Sequence, residues 1–168
     1  EADALHLALR SWWLERSQGA VVGTLSDWGE FPELRTAEER VRILIAELRR
    51  GVPELANFAE SEPPMRAAMH ESSHPSHFDC LPDSDFALKR VCTLILYLNP
   101  FWCEDHGGLF RLYPESVAGS RAEAAVGGGW VNMAGEPSVD IPPLHGRLLA
   151  FLCEGRNAHQ VLPSREPR

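Results

Sequence analysis

A mainly β fold supported by helices is what this sequence predicts, and three observations predict it. One amphipathic helical stripe lies in the first third of the chain, and short apolar runs rich in β-formers follow it. The order, helix first and strands afterwards, fits a sheet-based core buttressed by helices on one side. The third observation is size: 168 residues, 44% hydrophobic with five Trp, make one globular domain with a sizeable core. No internal repeat and no second domain are visible. No apolar run reaches the roughly 18–20 residues of a membrane span, and no N-terminal signal pattern appears. The chain opens at Glu1 rather than Met, which reads as a trimmed or partial chain.

Taken in order, the chain offers a short strand around Ser11–Leu14, then a loop through Gly19–Gly29. The clearest helix follows. Thr36 and Glu39 form a capping box, in which each side chain satisfies an orphan N–H of the helix start. Val41, Leu44, Ile45 and Leu48 then recur at helical spacing, and Gly51 with Pro53 ends the element. A weaker helical piece covers Glu54–Ala59. After Pro63 come three expected strands: Val91–Leu98, Gly108–Tyr113 and Arg147–Cys153. Between the last two, Glu115–Pro137 is rich in Gly, Ala and Ser and reads as a surface loop or small insertion.

Composition excludes some functions. Net charge is −8, and all but one of the 16 basic side chains are Arg, the exception being Lys89. Without clustered basic residues, tight nucleic-acid binding is not expected, and the acidity reads as ordinary solubility charge. The four cysteines, Cys80, Cys92, Cys103 and Cys153, contain no CxxC pair. They read as free thiols in a reducing compartment, which points to a cytoplasmic location or, second, a nuclear one.

The chemistry centres on His77-Phe78-Asp79. In a strand, alternate side chains share a face, so His77 and Asp79 point the same way. With seven His in the chain, chance alone yields about 0.3 such HxD patterns, so the pattern needs company. His159 provides it, just past the last expected strand. Two imidazoles and one carboxylate leave open positions on a metal, the set that suits Fe(II) oxygen chemistry with a chelating cosubstrate and O2. Zinc prefers tetrahedral closure with more His or Cys. A dicarboxylate cosubstrate also needs a partner for its far carboxylate. Arg165 or Arg168 answers that carboxylate as a bidentate fork, and the Tyr97 hydroxyl is a second donor. His70 and His74 are rivals to His77, which is preferred because only it has Asp two places on. His106 and His145 adjoin Gly and read as turn residues. Gly107-Gly108 reads as close backbone packing, since no P-loop accompanies it. Trp12, Trp13 and Trp102 read as core, and Cys80 as a buried thiol.

The segments RVCTLILYLNPFWCEDHGGLFRLYP and LHGRLLAFLCEGRNAHQVLPSREPR resemble the 2-oxoglutarate dioxygenases of the prolyl 4-hydroxylase superfamily. They look most like the branch that hydroxylates hypoxia-inducible factor and its microbial relatives. The likeness spans roughly Arg66–Arg168, and SWWLERSQ with the following helix is similar more loosely. The resemblance implies a double-stranded β-helix, a distorted jelly roll whose open end holds the metal. It implies one domain over residues 1–168, with helical support at 32–60 and the barrel core at 66–168.

By the same resemblance, His77, Asp79 and His159 hold Fe(II), while Tyr97 and Arg168 hold the 2-oxoglutarate C5 carboxylate. Arg168 fits better than Arg165, because that branch places its Arg nine positions after the distal His. Ile95, Phe110 and Val161 line the cosubstrate pocket, Arg90 meets the substrate, and ascorbate keeps the iron reduced. The expected reaction hydroxylates a prolyl residue of a protein or peptide, releasing succinate and CO2. Two alternatives stand beside it: hydroxylation of a free amino acid or other small molecule, and a non-catalytic binding module on the same fold. The intact triad argues against the second. The chain departs from the family in three places. MHESSHPSHFD lacks the usual Tyr and Gly-rich stretch: either His70 takes the place of that Tyr, or residues of that loop are absent from the chain. The segment 115–137 is longer than expected, and the family continues past Arg168 through one more strand carrying a Trp.

Overall fold

The structure is a computed structural model that describes residues 22–25, 31–58, 67–70, 73–79, 90–113, 139–153 and 157–165. It is mainly β, with antiparallel sheets and a single α-helix among the described residues. The chain divides into two compact units, Glu1–His70 and Glu71–Arg168. The expected strand at Ser11–Leu14, Trp12, Trp13, Cys80, the segment 115–137 and Arg168 lie outside the described residues.

In the first unit, helix α1 spans Pro32–Gly51. It starts a turn earlier than the capping box predicts. Proline fits the first helical turn, where its missing N–H has no partner to lose. Phe31, the N-cap, makes no side-chain cap hydrogen bond, and Thr36 already stands inside the helix. The stripe of Val41, Leu44, Ile45 and Leu48 is half-buried, whereas Ile43, off the stripe, is 64% exposed. At the other end the Val52 N–H donates to the Leu48 carbonyl at 2.8 Å. Pro53–Leu55 then forms a 3-10 turn in place of the weaker helix expected over 54–59. Strand β1, Val22–Leu25, forms within the expected loop and pairs antiparallel with β2, Ala67–His70, matching Val22 to His70 and Leu25 to Ala67. Its partner is distant in sequence, which a local reading does not register.

The second unit holds β3 (His74–His77), β4 (Cys92–Leu96), β5 (Phe110–Leu112), β6 (Val139–Ile141), β7 (Leu148–Leu152) and β8 (His159–Val161). One sheet runs β3-β8-β5-β6 and another pairs β4 with β7, all antiparallel. Among the described strands of this unit, only β5 and β6 are neighbours both in sequence and in a sheet. The remaining pairings are long crossovers, as a double-stranded β-helix requires. The three expected strands are present but shorter, and backbone bonds continue past their ends. The Tyr97 N–H donates to Arg147 O at 3.0 Å, Cys153 N–H to Val91 O at 2.8 Å and Tyr113 N–H to Ala158 O at 2.9 Å. Phe78, Val91, Phe110, Tyr113, Cys153 and Ala158 are buried.

The two glycines behave as the sequence predicts. Gly107 has φ +67, and a Cβ there would lie 2.4 Å from the Pro163 carbonyl oxygen. That close approach lets the Gly108 N–H reach the same oxygen at 2.9 Å.

Candidate metal centre

Cross-strand register builds the site. His77 ends β3 and His159 begins β8, and the two are direct partners in the antiparallel ladder. Opposed side chains on neighbouring strands share a face, and the two rings lie 4.3 Å apart between centroids. The strand stops at His77, so Asp79 sits in a bend rather than on the same strand. It still joins them: His77, Asp79 and His159 each offer one ligand atom, all within 4.8 Å of one another. Asp79 Oδ1 lies 3.4 Å from His77 Nε2 and 3.7 Å from His159 Nε2.

The opposite nitrogens are already engaged. His77 Nδ1 lies 2.9 Å from the Pro75 carbonyl and His159 Nδ1 2.9 Å from the Asn157 carbonyl. A carbonyl only accepts, so each Nδ1 carries the proton and each Nε2 presents a lone pair to the shared point. Burial holds the His159 imidazole below its ordinary value, with the Asn157 carbonyl opposing and His77 adding to the lowering. It is therefore neutral and ready to ligate near neutral pH. Burial alone would raise the Asp79 carboxyl, but the hydrogen bond donated by the Thr93 hydroxyl and the charge of the Arg90 guanidinium hold it well below the usual carboxylate range. The donor set, two imidazoles and one carboxylate, fits Fe(II) with positions left open.

Packing fixes the distal imidazole. Phe110 stacks on His159 at 4.8 Å with 19° between planes, and Phe151 meets its edge at 4.9 Å. Phe110, expected in the cosubstrate pocket, is buried against a candidate ligand. Val161 lies two residues from His159 on the same face, opposite both His74 and Phe110. Ile95 is half-buried on β4, and Tyr97 is half-buried just beyond it. Thr93, Ile95 and Tyr97 recur every second residue and so belong to one face. Arg90 places Nη1 3.3 Å from Asp79 Oδ1 with its side chain 56% exposed. It spans the metal site and the solvent.

Of the rival histidines, His74 packs its ring edge-on against His77 at 4.6 Å and is not among the three converging groups. His70 closes β2 in the first unit. Arg165 is exposed and donates its backbone N–H to His106 O at 2.9 Å. His106 and His145 lie in turns, as expected, and Trp102 donates Nε1–H to the Gly107 carbonyl at 2.8 Å. Sequence reasoning missed Thr93, whose hydroxyl donates to Asp79 Oδ2, and Phe151. Both stand on strands that carry no candidate ligand, so no motif marks them.

Comparison with known proteins agrees with this geometry. The sequence model of the 2OG-Fe(II) oxygenase superfamily matches residues 65–168. Among solved structures, a Pseudomonas putida prolyl-4-hydroxylase aligns over 100% of this chain and 83% of its own, at 20% identity and TM-score 0.63. A prolyl 4-hydroxylase from Phytophthora capsici aligns over 99% of this chain and 52% of its own, at 24% identity and TM-score 0.67. A Trichoplax adhaerens prolyl hydroxylase, solved with a peptide fragment of the hypoxia inducible factor oxygen degradation domain, aligns over 98% and 74%, at 21% identity and TM-score 0.60. At these identities the likeness to solved structures is one of fold.

Proposed function

This chain belongs to the 2OG-Fe(II) oxygenase superfamily, and from that premise we propose that it hydroxylates a prolyl residue within a protein or peptide. The family implies Fe(II) and 2-oxoglutarate. In this reading His77, Asp79 and His159 hold the iron. The observation that carries it is the convergence of two Nε2 atoms and one carboxylate oxygen, with both Nδ1 atoms committed to backbone carbonyls. When bound, iron with 2-oxoglutarate and O2 supplies the oxidising power for C–H hydroxylation, and succinate and CO2 are released. The protein's residues bind and orient. Arg168 and the Tyr97 hydroxyl hold the far carboxylate of 2-oxoglutarate, and Ile95 and Val161 line its pocket. Arg90, exposed at the edge of the site, meets the substrate, and ascorbate keeps the iron reduced.

Prolyl peptides are favoured over small molecules because the YLN, FRLYP and RN-H-V-P segments resemble the prolyl hydroxylase branch. One protein of similar fold was also solved with a peptide fragment. The test is mass spectrometry of proline-containing peptides after incubation with Fe(II), 2-oxoglutarate, ascorbate and O2. A peptide heavier by one oxygen at proline C4 supports the reading. Turnover of free proline or another metabolite, with no peptide modified, overturns it.

A further inference from the structure

The sheet of β4 and β7 carries no candidate ligand, yet it touches two of them. Thr93 and Phe151 are direct cross-strand partners. Phe151 meets the edge of the His159 ring, while the Thr93 hydroxyl donates to Asp79 Oδ2. The two oxygens of Asp79 are thus treated differently. Oδ1 faces both imidazole Nε2 atoms and the Arg90 guanidinium, whereas Oδ2 is turned to Thr93.

A carboxylate is free to bind a metal through one oxygen or two. With both oxygens on the ion, the protein would fill a fourth position. A six-coordinate ion must also take two donors from a chelating cosubstrate and one from O2, so a fourth protein donor leaves too few. A strong hydrogen bond to one oxygen removes it from that competition.

The Thr93 hydroxyl is itself held. An ionised carboxylate only accepts, so the hydroxyl proton points to Asp79. The Cys153 thiol, 3.2 Å from Thr93 Oγ1, then meets the hydroxyl as a donor, with the Phe151 carbonyl as its longer second acceptor at 3.9 Å. Cys153 is 2% exposed, and no metal-ligand role is needed to explain its burial there.

We propose that Thr93 is the positioning residue of the metal site, fixing Asp79 as a one-oxygen ligand through the relay Cys153 Sγ–H to Thr93 Oγ1–H to Asp79 Oδ2. The inference rests on the reading of His77, Asp79 and His159 as metal ligands. Thr93→Val removes the hydroxyl while keeping the β-branched shape that suits a strand. Thr93→Ser keeps the hydroxyl.

Mn(II) affinity is measured on the whole chain by competition with a fluorescent chelator, and the Co(II) absorption spectrum is recorded for each protein. Thr93→Val is expected to weaken Mn(II) binding by about 10–100-fold and to alter the Co(II) bands, with Thr93→Ser close to wild type. Thr93→Ala serves in place of Val if the latter does not fold. Cys153→Ala weakens binding less, because it removes only the second link. Wild-type affinity and an unchanged Co(II) spectrum in folded Thr93→Val or Thr93→Ala overturn the inference and leave the ligand assignment standing. Wild-type protein that binds no metal overturns the ligand assignment, and this inference with it.

Discussion

At the scale of single residues, the imidazole of His159 sets the first prediction. The native state holds it below the ordinary histidine value of 6.5 by burial. Below that value the unfolded chain binds a proton that the native chain does not. Stability of the metal-free protein therefore falls as pH drops through about 6.5 toward the depressed native value, and levels off beneath it. Thermal melts between about pH 7.5 and 5.5 should show this slope, and His159→Gln should flatten it. An unchanged slope in the variant would place the titration elsewhere. A second prediction concerns cosubstrate affinity. Losing one partner of a buried carboxylate pair costs on the order of 3–5 kcal/mol, so Arg168→Ala should raise the 2-oxoglutarate requirement steeply. Arg165, already exposed, should matter little. Equal effects of the two substitutions would refute the assignment.

At the scale of elements, two contrasts separate backbone constraint from surface charge. Gly107→Ala meets a positive φ and a backbone oxygen that cannot move aside. It should cost about 2 kcal/mol or more. Gly51, at the end of α1, has nothing within 4 Å of an added Cβ. Alanine there should be neutral or stabilise by up to about 1 kcal/mol. Denaturant melts of both variants check the pair, and equal effects would contradict it. Across β5 and β6, Arg111 grips Asp140 with two bonds of 2.7 Å. Its hydrogen bonds hold the Asp140 carboxyl below its ordinary 3.8, so the contribution is present above that value and lost as pH falls further. With both side chains near 30% exposed, Asp140→Asn should cost only about 0.5–1 kcal/mol near neutral pH. A cost several-fold larger would mean the pair does more than lace two strands.

For the whole molecule, the sequence and the structure converge unevenly, and the reasons are physical. The strands at 92–96, 110–112 and 148–152 were legible because each is an apolar run rich in β-formers. Strand β1 was not, because its four residues are stabilised by a partner far along the chain. The start of α1 was misread because Thr36 and Glu39 satisfy a capping pattern, while the proline at position 32 begins the helix a turn earlier. In the site, HxD and His159 stood out by residue type and spacing. Thr93 and Phe151 did not, because their role comes from which sheet lies next to the ligands rather than from any local pattern.

The central claim is that His77, Asp79 and His159 hold an iron that turns 2-oxoglutarate over. The most direct measurement is succinate formation by wild-type protein and by His77→Ala, Asp79→Ala and His159→Ala, with Fe(II) supplied and withheld and a proline peptide present. Iron-dependent succinate is expected from the wild type and none from any of the three variants, each of them still folded. Near-normal succinate from any one variant under limiting iron, or the same yield with iron withheld, would contradict it.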